Sequence, residues 1–240
     1  MIVNGDPTAK PRTPGERVVI ALDVDGIPAL DALVTATSEH VRTYKVGKRL
    51  FTAVGPRAVE RIAAAGGRVF LDLKYHDIPN TVTTAVAAAV DLGVTWITVH
   101  TAGGRAMLEA AARAADGHAA IVGVTVLTSL DADDLASVGV TGPLEEVVRK
   151  RARLAIEAGA GGLVCSPREV AMLRLELGPE PLLITPGIRP AGAADEDQKR
   201  AATPAAAIAA GADFLVVGRP ITHAADPAAA ARALVEEIGV

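Results

Sequence analysis

The chain has 240 residues and a mass of 24.5 kDa, with half its residues hydrophobic and 22% charged; this fits one domain with a sizeable core and excludes disorder of the whole chain. A net charge of −4 and an aromatic content of 2% supply neither the basic excess nor the stacking rings of a nucleic-acid surface. One cysteine, Cys165, excludes an internal disulfide and a four-cysteine zinc site, and no apolar run approaches the ~18 residues of a membrane span; the expectation is a soluble, cytoplasmic protein with no nucleic-acid or membrane partner.

Residues 1–16 are polar, rich in Pro and Gly, and lack the apolar stretch of a signal peptide, so they read as a flexible N-terminal arm. From residue 17 to residue 240, short β-branched runs alternate with Ala-rich amphipathic segments. The predicted strands are Val18–Val24, Arg42–Val46, Arg68–Lys74, Thr95–His100, Ala120–Val126, Gly162–Cys165, Leu182–Thr185 and Asp213–Val217. A helix follows each, beginning near Ala29, Pro56, Asn80, Gly104, Pro143, Pro167, Pro204 and Pro227. Thr203-Pro204 and Asp226-Pro227 place a capping side chain before a first-turn proline, and Ser166 and Glu169 have capping-box spacing. Gly66, Gly93, Gly161 and Gly211 stand where helices should stop. Eight strand–helix units in one chain predict an α/β fold, a single-domain (β/α)8 TIM barrel. The competing doubly wound sheet would carry a Gly-rich first turn, whereas this first turn reads DVDGIP. Two connections, Thr128 to Gly142 and Gly187 to Arg200, are long and follow strands, which suits lids or binding loops on the catalytic face.

Strand alternation sorts the polar residues. On the third strand Val69, Leu71 and Leu73 share the helix-facing side, and Phe70, Asp72 and Lys74 share the inward side. Lys45 stands at matching height on the second strand, and Asp23 ends the first. Two acids and two lysines thus project into one barrel mouth, with Asp77 in the next loop. A neutral, alternating cluster is stabilised by mutual pairing, yet cores rarely accept so many ions without a task. The loops after the last two strands carry Arg189, Gln198, Gly218 and Arg219, and these loops commonly bind phosphate in a barrel. Other features are weaker. His76 and His100 lack diagnostic metal spacing and lie near Lys74, so no metal site is expected; Cys165 has no evident base; Ser129 has no GxSxG context; Ala102-Gly103-Gly104 reads as a close-packing turn.

The segment DLKYHDIPNT (Asp72–Thr81) resembles the signature of the orotidine 5'-monophosphate decarboxylase family. ALDVD around Asp23, YKVG around Lys45, TVLTS around Thr128, TPGIRP around Arg189, DQKR around Gln198 and VVGRPIT around Arg219 resemble it in the same order, over about residues 18–235. The DxKxxD core alone is shared with sugar-phosphate decarboxylases and aldolases of the superfamily; the LTS, TPGIR and DQ segments separate the pyrimidine enzyme from them. Arg49 departs from the family, many of whose members have Glu there. The resemblance implies decarboxylation of orotidine 5'-monophosphate to uridine 5'-monophosphate, the last step of de novo pyrimidine nucleotide biosynthesis, with no cofactor and no metal. It implies that Asp23 binds ribose, Lys45 bridges ribose and the charged cluster, Asp72 faces the substrate carboxylate, and Lys74 delivers the proton. Asp77 would enter the neighbouring subunit's site in a homodimer. Thr81 would join the substrate-binding set, Thr128 and Ser129 would hold the pyrimidine edge, and Gln198, Gly218 and Arg219 would hold phosphate, with Arg189 on the same loops. The alternatives are a sugar-phosphate decarboxylase or aldolase of the superfamily, or a non-catalytic nucleotide-binding barrel.

Overall fold

The computed structural model describes residues 6–189 and 202–239. Eight strands close into a barrel in sequence order, each parallel to its neighbours: β1 (Val18–Ala21), β2 (Thr43–Gly47), β3 (Arg68–Tyr75), β4 (Trp96–His100), β5 (Ala120–Val124), β6 (Gly162–Val164), β7 (Leu182–Pro186) and β8 (Phe214–Val217). The predicted barrel is therefore the observed one. The helices are α1 (Ile27–Thr37), α2 (Lys48–Val54), α3 (Arg57–Ala64), α4 (Pro79–Asp91), α5 (Gly104–Ala115), α6 (Ala132–Ser137), α7 (Leu144–Glu157), α8 (Val170–Leu177), α9 (Pro204–Ala209), α10 (Arg219–Thr222) and α11 (Pro227–Ile238).

Alternation divides the core into two layers. Outward residues such as Ile20, Val46, Val69 and Leu71 pack under the helices, and inward residues fill the barrel. The lower interior is aromatic. Trp96 meets Phe70 edge-on at 5.6 Å between ring centres and Phe214 at 4.6 Å, so three of the chain's few rings plug the barrel.

Several local signals act as the sequence implies. Thr203 Oγ1 accepts from the Ala206 N–H and Asp226 Oδ1 from the Ala229 N–H, capping α9 and α11. Gly66, Gly93 and Gly211 take positive φ after their helices, at 75°, 76° and 106°. After α7, however, Gly159 makes the left-handed turn at φ 94°, while Gly161 leads straight into β6. The box at Ser166 is only half built. Glu169 Oε2 accepts from the Ser166 N–H at 2.9 Å, but the buried Ser166 hydroxyl returns no hydrogen bond, because α8 starts beyond Glu169.

Residues 6–16 of the N-terminal arm are among the described residues. Its described part lies against the barrel floor, where strands begin. The Pro7 carbonyl accepts from Trp96 Nε1 at 2.7 Å, and Lys10 Nζ reaches Asp213 Oδ2 at 2.8 Å and the Pro181 carbonyl at 3.1 Å. The cause is polar demand beneath the aromatic plug: the buried indole N–H needs an acceptor, and Lys10 joins Arg174 and the Leu183 N–H as donors to the nearly buried Asp213 carboxylate. A polar, Pro-rich composition conceals this because single hydrogen bonds to backbone carbonyls have no sequence signature. No described helix is long and apolar enough to cross a membrane.

Candidate active site

The first three strands deliver four charged side chains to the C-terminal mouth of the barrel. In register, Ala21 pairs with Lys45 and Gly47 with Asp72, so Lys45 lies diagonally between the other two strands. Asp72 is 8% exposed and sits between two ammonium groups. Lys74 Nζ donates to its Oδ1 at 2.7 Å and Oδ2 at 2.8 Å, and Lys45 Nζ stands 3.4 Å from Oδ2. Asp23, just past β1, completes the row at 3.6 Å from Lys45 Nζ. Burial on its own would raise the Asp72 carboxyl; Lys45, Lys74 and the Lys74 and Thr98 hydrogen bonds outweigh it and hold the carboxyl below its ordinary range.

Lys74 does not arrive by simple alternation. Pairing of β3 with β4 runs Leu71 to Ile97 and resumes at Tyr75 to Val99, so three residues, 72–74, stand opposite Thr98 alone. Within this bulge Lys74 adopts φ 54°, a left-handed conformation that costs a side-chain-bearing residue about 1–2 kcal/mol. The Thr98 hydroxyl accepts the Lys74 backbone N–H at 2.8 Å and donates to Asp72 Oδ1 at 3.1 Å.

Two further residues shape the mouth without an obvious sequence signal. A Cβ on Gly47 would stand 3.0 Å from Lys45 Nζ and 3.1 Å from Asp23 Oδ1, so glycine leaves room for that pair. Arg49 is paired with Asp25, and its Nη1 donates to the Asp23 carbonyl at 3.2 Å. The unusual arginine thus holds the loop that carries Asp23.

A cavity of about 370 Å³ opens above the charged row, a size suited to a small organic ligand. Asp23, Lys45, Asp72 and Lys74 line it together with Thr128, the apolar Val124, Val126 and Val164, and, after β7 and β8, Arg189, Gly218 and Arg219. Eight residues singled out by sequence thereby share one cavity. Asp77, Thr81 and Ser129 do not line it: all three are exposed, and Asp77 Oδ1 accepts the Ile78 N–H at 2.7 Å. Gln198, with most of the loop after β7, lies outside the described residues. The loop after β5 contains α6, capped by a box in which Asp131 accepts from the Asp133 and Asp134 N–H groups and Asp134 accepts from the Asp131 N–H.

The weaker candidates resolve physically. The His76 and His100 rings lie 5.6 Å apart, and His100 is pushed down to about 4 by burial and then by His76, Lys74, Lys48 and Arg151. An imidazole among cations is a poor place for another cation. Burial pushes the Cys165 thiol far above its ordinary value, which leaves it unreactive although it borders the cavity. A Cβ on Gly103 would collide with Met107 Sδ at 2.1 Å, so that turn serves close packing.

Comparison with known proteins agrees with this geometry. The family model described as "Orotidine 5'-phosphate decarboxylase / HUMPS family" matches residues 16–234. The chain is 54% identical over 221 residues to orotidine 5'-phosphate decarboxylase of Anaeromyxobacter sp. (strain K), covering 92% of this chain and 97% of the relative. It is 55% identical over 225 residues to the enzyme of the same name from Halorhodospira halophila (strain DSM 244 / SL1), covering 92% and 95%. The crystal structure of orotidine 5'-phosphate decarboxylase from Lactobacillus acidophilus superposes with a TM-score of 0.83 at 36% identity, covering 94% of this chain and all of that one. With its barrel, its charged mouth and its match across residues 16–234, the chain belongs to the orotidine 5'-phosphate decarboxylase / HUMPS family of enzymes.

Proposed function

We propose that this enzyme converts orotidine 5'-monophosphate to uridine 5'-monophosphate and CO2 without a cofactor, closing de novo pyrimidine nucleotide synthesis. The observation that carries the reading is the placement of Asp72 between Lys45 and Lys74 in a cavity that Arg189 and Arg219 also line. The bond from C6 to the carboxylate breaks, its electron pair stays on C6, and CO2 leaves neutral. That pair has no good π acceptor, so the charge must be met electrostatically. The Lys74 ammonium, aimed at C6, meets it and then transfers its proton there; solvent restores the proton to Lys74 afterwards. Asp72 stands against the substrate carboxylate, and their repulsion is relieved as charge departs with CO2. Lys45 balances Asp72 and reaches the ribose beside Asp23. The phosphate lies remote from C6 on Arg219, Gly218, Arg189 and Gln198, where its binding holds the ring in place. Thr128 and Ser129 meet the pyrimidine edge.

The enzyme is further proposed to act as a homodimer, with Asp77 and Thr81 entering the neighbouring site. The exposure of Asp77 on the β3–α4 connection and of Thr81 in the first turn of α4, near an Ile78 that is 65% exposed, supports this placement. A cytoplasmic location accords with the pathway.

The test is a spectrophotometric assay of purified protein with orotidine 5'-monophosphate, run with and without EDTA. Turnover that ignores the chelator is expected. Absence of turnover, or activity only on a sugar phosphate with magnesium, would replace this reading with that of the sugar-phosphate relatives; nucleotide binding without turnover would make the barrel a binding protein.

A further inference from the structure

We infer that the Thr98 hydroxyl is a positioning group for this reaction: it holds the β3 bulge open and so sets where the Lys74 ammonium points relative to Asp72. The inference rests on the decarboxylase reading for its kinetic consequences, but its geometric basis is separate.

Thr98 belongs to β4, lies on the inward side above Trp96, and is fully buried. It touches Asp72 and Lys74, the last two members of the charged row, through one oxygen. As acceptor it takes the Lys74 backbone N–H, at 2.8 Å. As donor its O–H hydrogen-bonds to Asp72 Oδ1, at 3.1 Å. The first bond matters because of the register. Three residues of β3 face one of β4, so the regular ladder between these strands is interrupted there. Lys74 is also held at φ 54°, a conformation it would leave if the surroundings allowed. A hydroxyl at the single facing position supplies the missing acceptor within the bulge. The second bond fixes the Asp72 carboxylate in the orientation in which both of its oxygens receive Lys74 Nζ. One side chain therefore locks the backbone of the proton donor and the side chain of its acidic partner together.

Three properties are required of such a group: an acceptor, a donor, and a stem short enough to sit fully buried beside the strand. Thr and Ser satisfy all three. Val matches the shape of Thr and has neither polar function. That contrast defines the experiment. In Thr98→Val, kcat on orotidine 5'-monophosphate is expected to fall by roughly 10²-fold, as for a misplaced reacting group, while uridine 5'-monophosphate affinity stays within about threefold of wild type. Thr98→Ser is expected to keep kcat within about threefold, and Thr98→Ala to resemble Thr98→Val, so a folding defect particular to one substitution does not decide the matter. Hydrogen exchange of the Lys74 amide is read in parallel: it should quicken by about tenfold in the Val and Ala variants and stay slow in Ser.

If Thr98→Val or Thr98→Ala turns over normally, or if Ser fails as badly as Val, the positioning role is wrong. An unchanged Lys74 amide in the hydroxyl-free variants overturns it as well. Absence of turnover in the wild-type protein would strike the decarboxylase reading instead, and the amide exchange would still decide whether Thr98 holds the bulge.

Discussion

Asp72 shows how much one buried carboxylate is asked to do. It is nearly inaccessible, accepts both oxygens' worth of Lys74 donors, and is bracketed by Lys45. Removing one ion from such an array leaves the rest uncompensated, so substitutions here act on rate through charge rather than through volume. Lys74→Ala is expected to lower kcat by more than roughly 10³-fold, with uridine 5'-monophosphate binding retained and measured by calorimetry. Arg219→Ala should lower kcat/KM by roughly 10–100-fold, the worth of a hydrogen bond to a charged group, with an unchanged far-ultraviolet circular dichroism spectrum. His100 yields a stability prediction. Its folded value is about 4 against an ordinary 6.5, so between these pH values the unfolded chain takes up a proton that the native state refuses. Stability present above pH 6.5 is thus lost as pH falls toward 4, with a slope of at most about 1.4 kcal/mol per pH unit that solvent screening reduces. Asp72, whose carboxyl is lowered from 3.8, adds its own loss only at more acid pH. Urea titrations of wild type and His100→Gln from pH 7 to pH 4.5 check this: the variant should show the flatter profile.

At the scale of elements, the strands were legible because β-branched runs of the right length recur between helical segments, and their inward positions followed from alternation. Helices α2, α6 and α10 were not. Each is too short for an apolar period to develop: α2 starts directly after β2, α10 one residue after β8, and α6 interrupts the connection after β5, where only the Asp131…Asp134 spacing could have been read as a cap. Thr98 was equally hidden. Threonine is an ordinary strand residue, and what makes this one special is a bulge in its neighbour that no linear pattern records. The strand-parity argument still placed Lys74 correctly, although the route runs through a left-handed residue. The contacts of the arm are hidden for a related reason: its anchors on Trp96 and Asp213 are distant in sequence. Removing residues 1–12 should cost about 1–3 kcal/mol for the indole N–H left without its acceptor, seen as a lower urea midpoint, with kcat unchanged.

At the scale of the molecule, the mouth collects groups from the first three strands and from the loops after the last two, which barrel closure through the β1–β8 pairing brings together. Eight of the sequence-selected residues meet there; Asp77, Thr81 and Ser129 stand outside the cavity of their own chain. If Asp77 and Thr81 serve a partner's site, mixing inactive Asp77→Ala and Lys74→Ala proteins should restore about a quarter of wild-type activity, since half the pairs are mixed and each mixed pair rebuilds one intact site. Activity that stays absent after mixing and subunit exchange would place Asp77 in its own subunit's chemistry, and an Asp77→Ala protein that is active by itself would place it outside the chemistry.

The docking of residues 6–12 beneath the barrel has an engineering consequence. Durability and turnover are governed from opposite poles of one short cylinder, because the segment's anchors sit where strands begin and the reacting groups where they finish. A designer can graft tighter undersides onto this scaffold, and heat tolerance should rise with no penalty in speed.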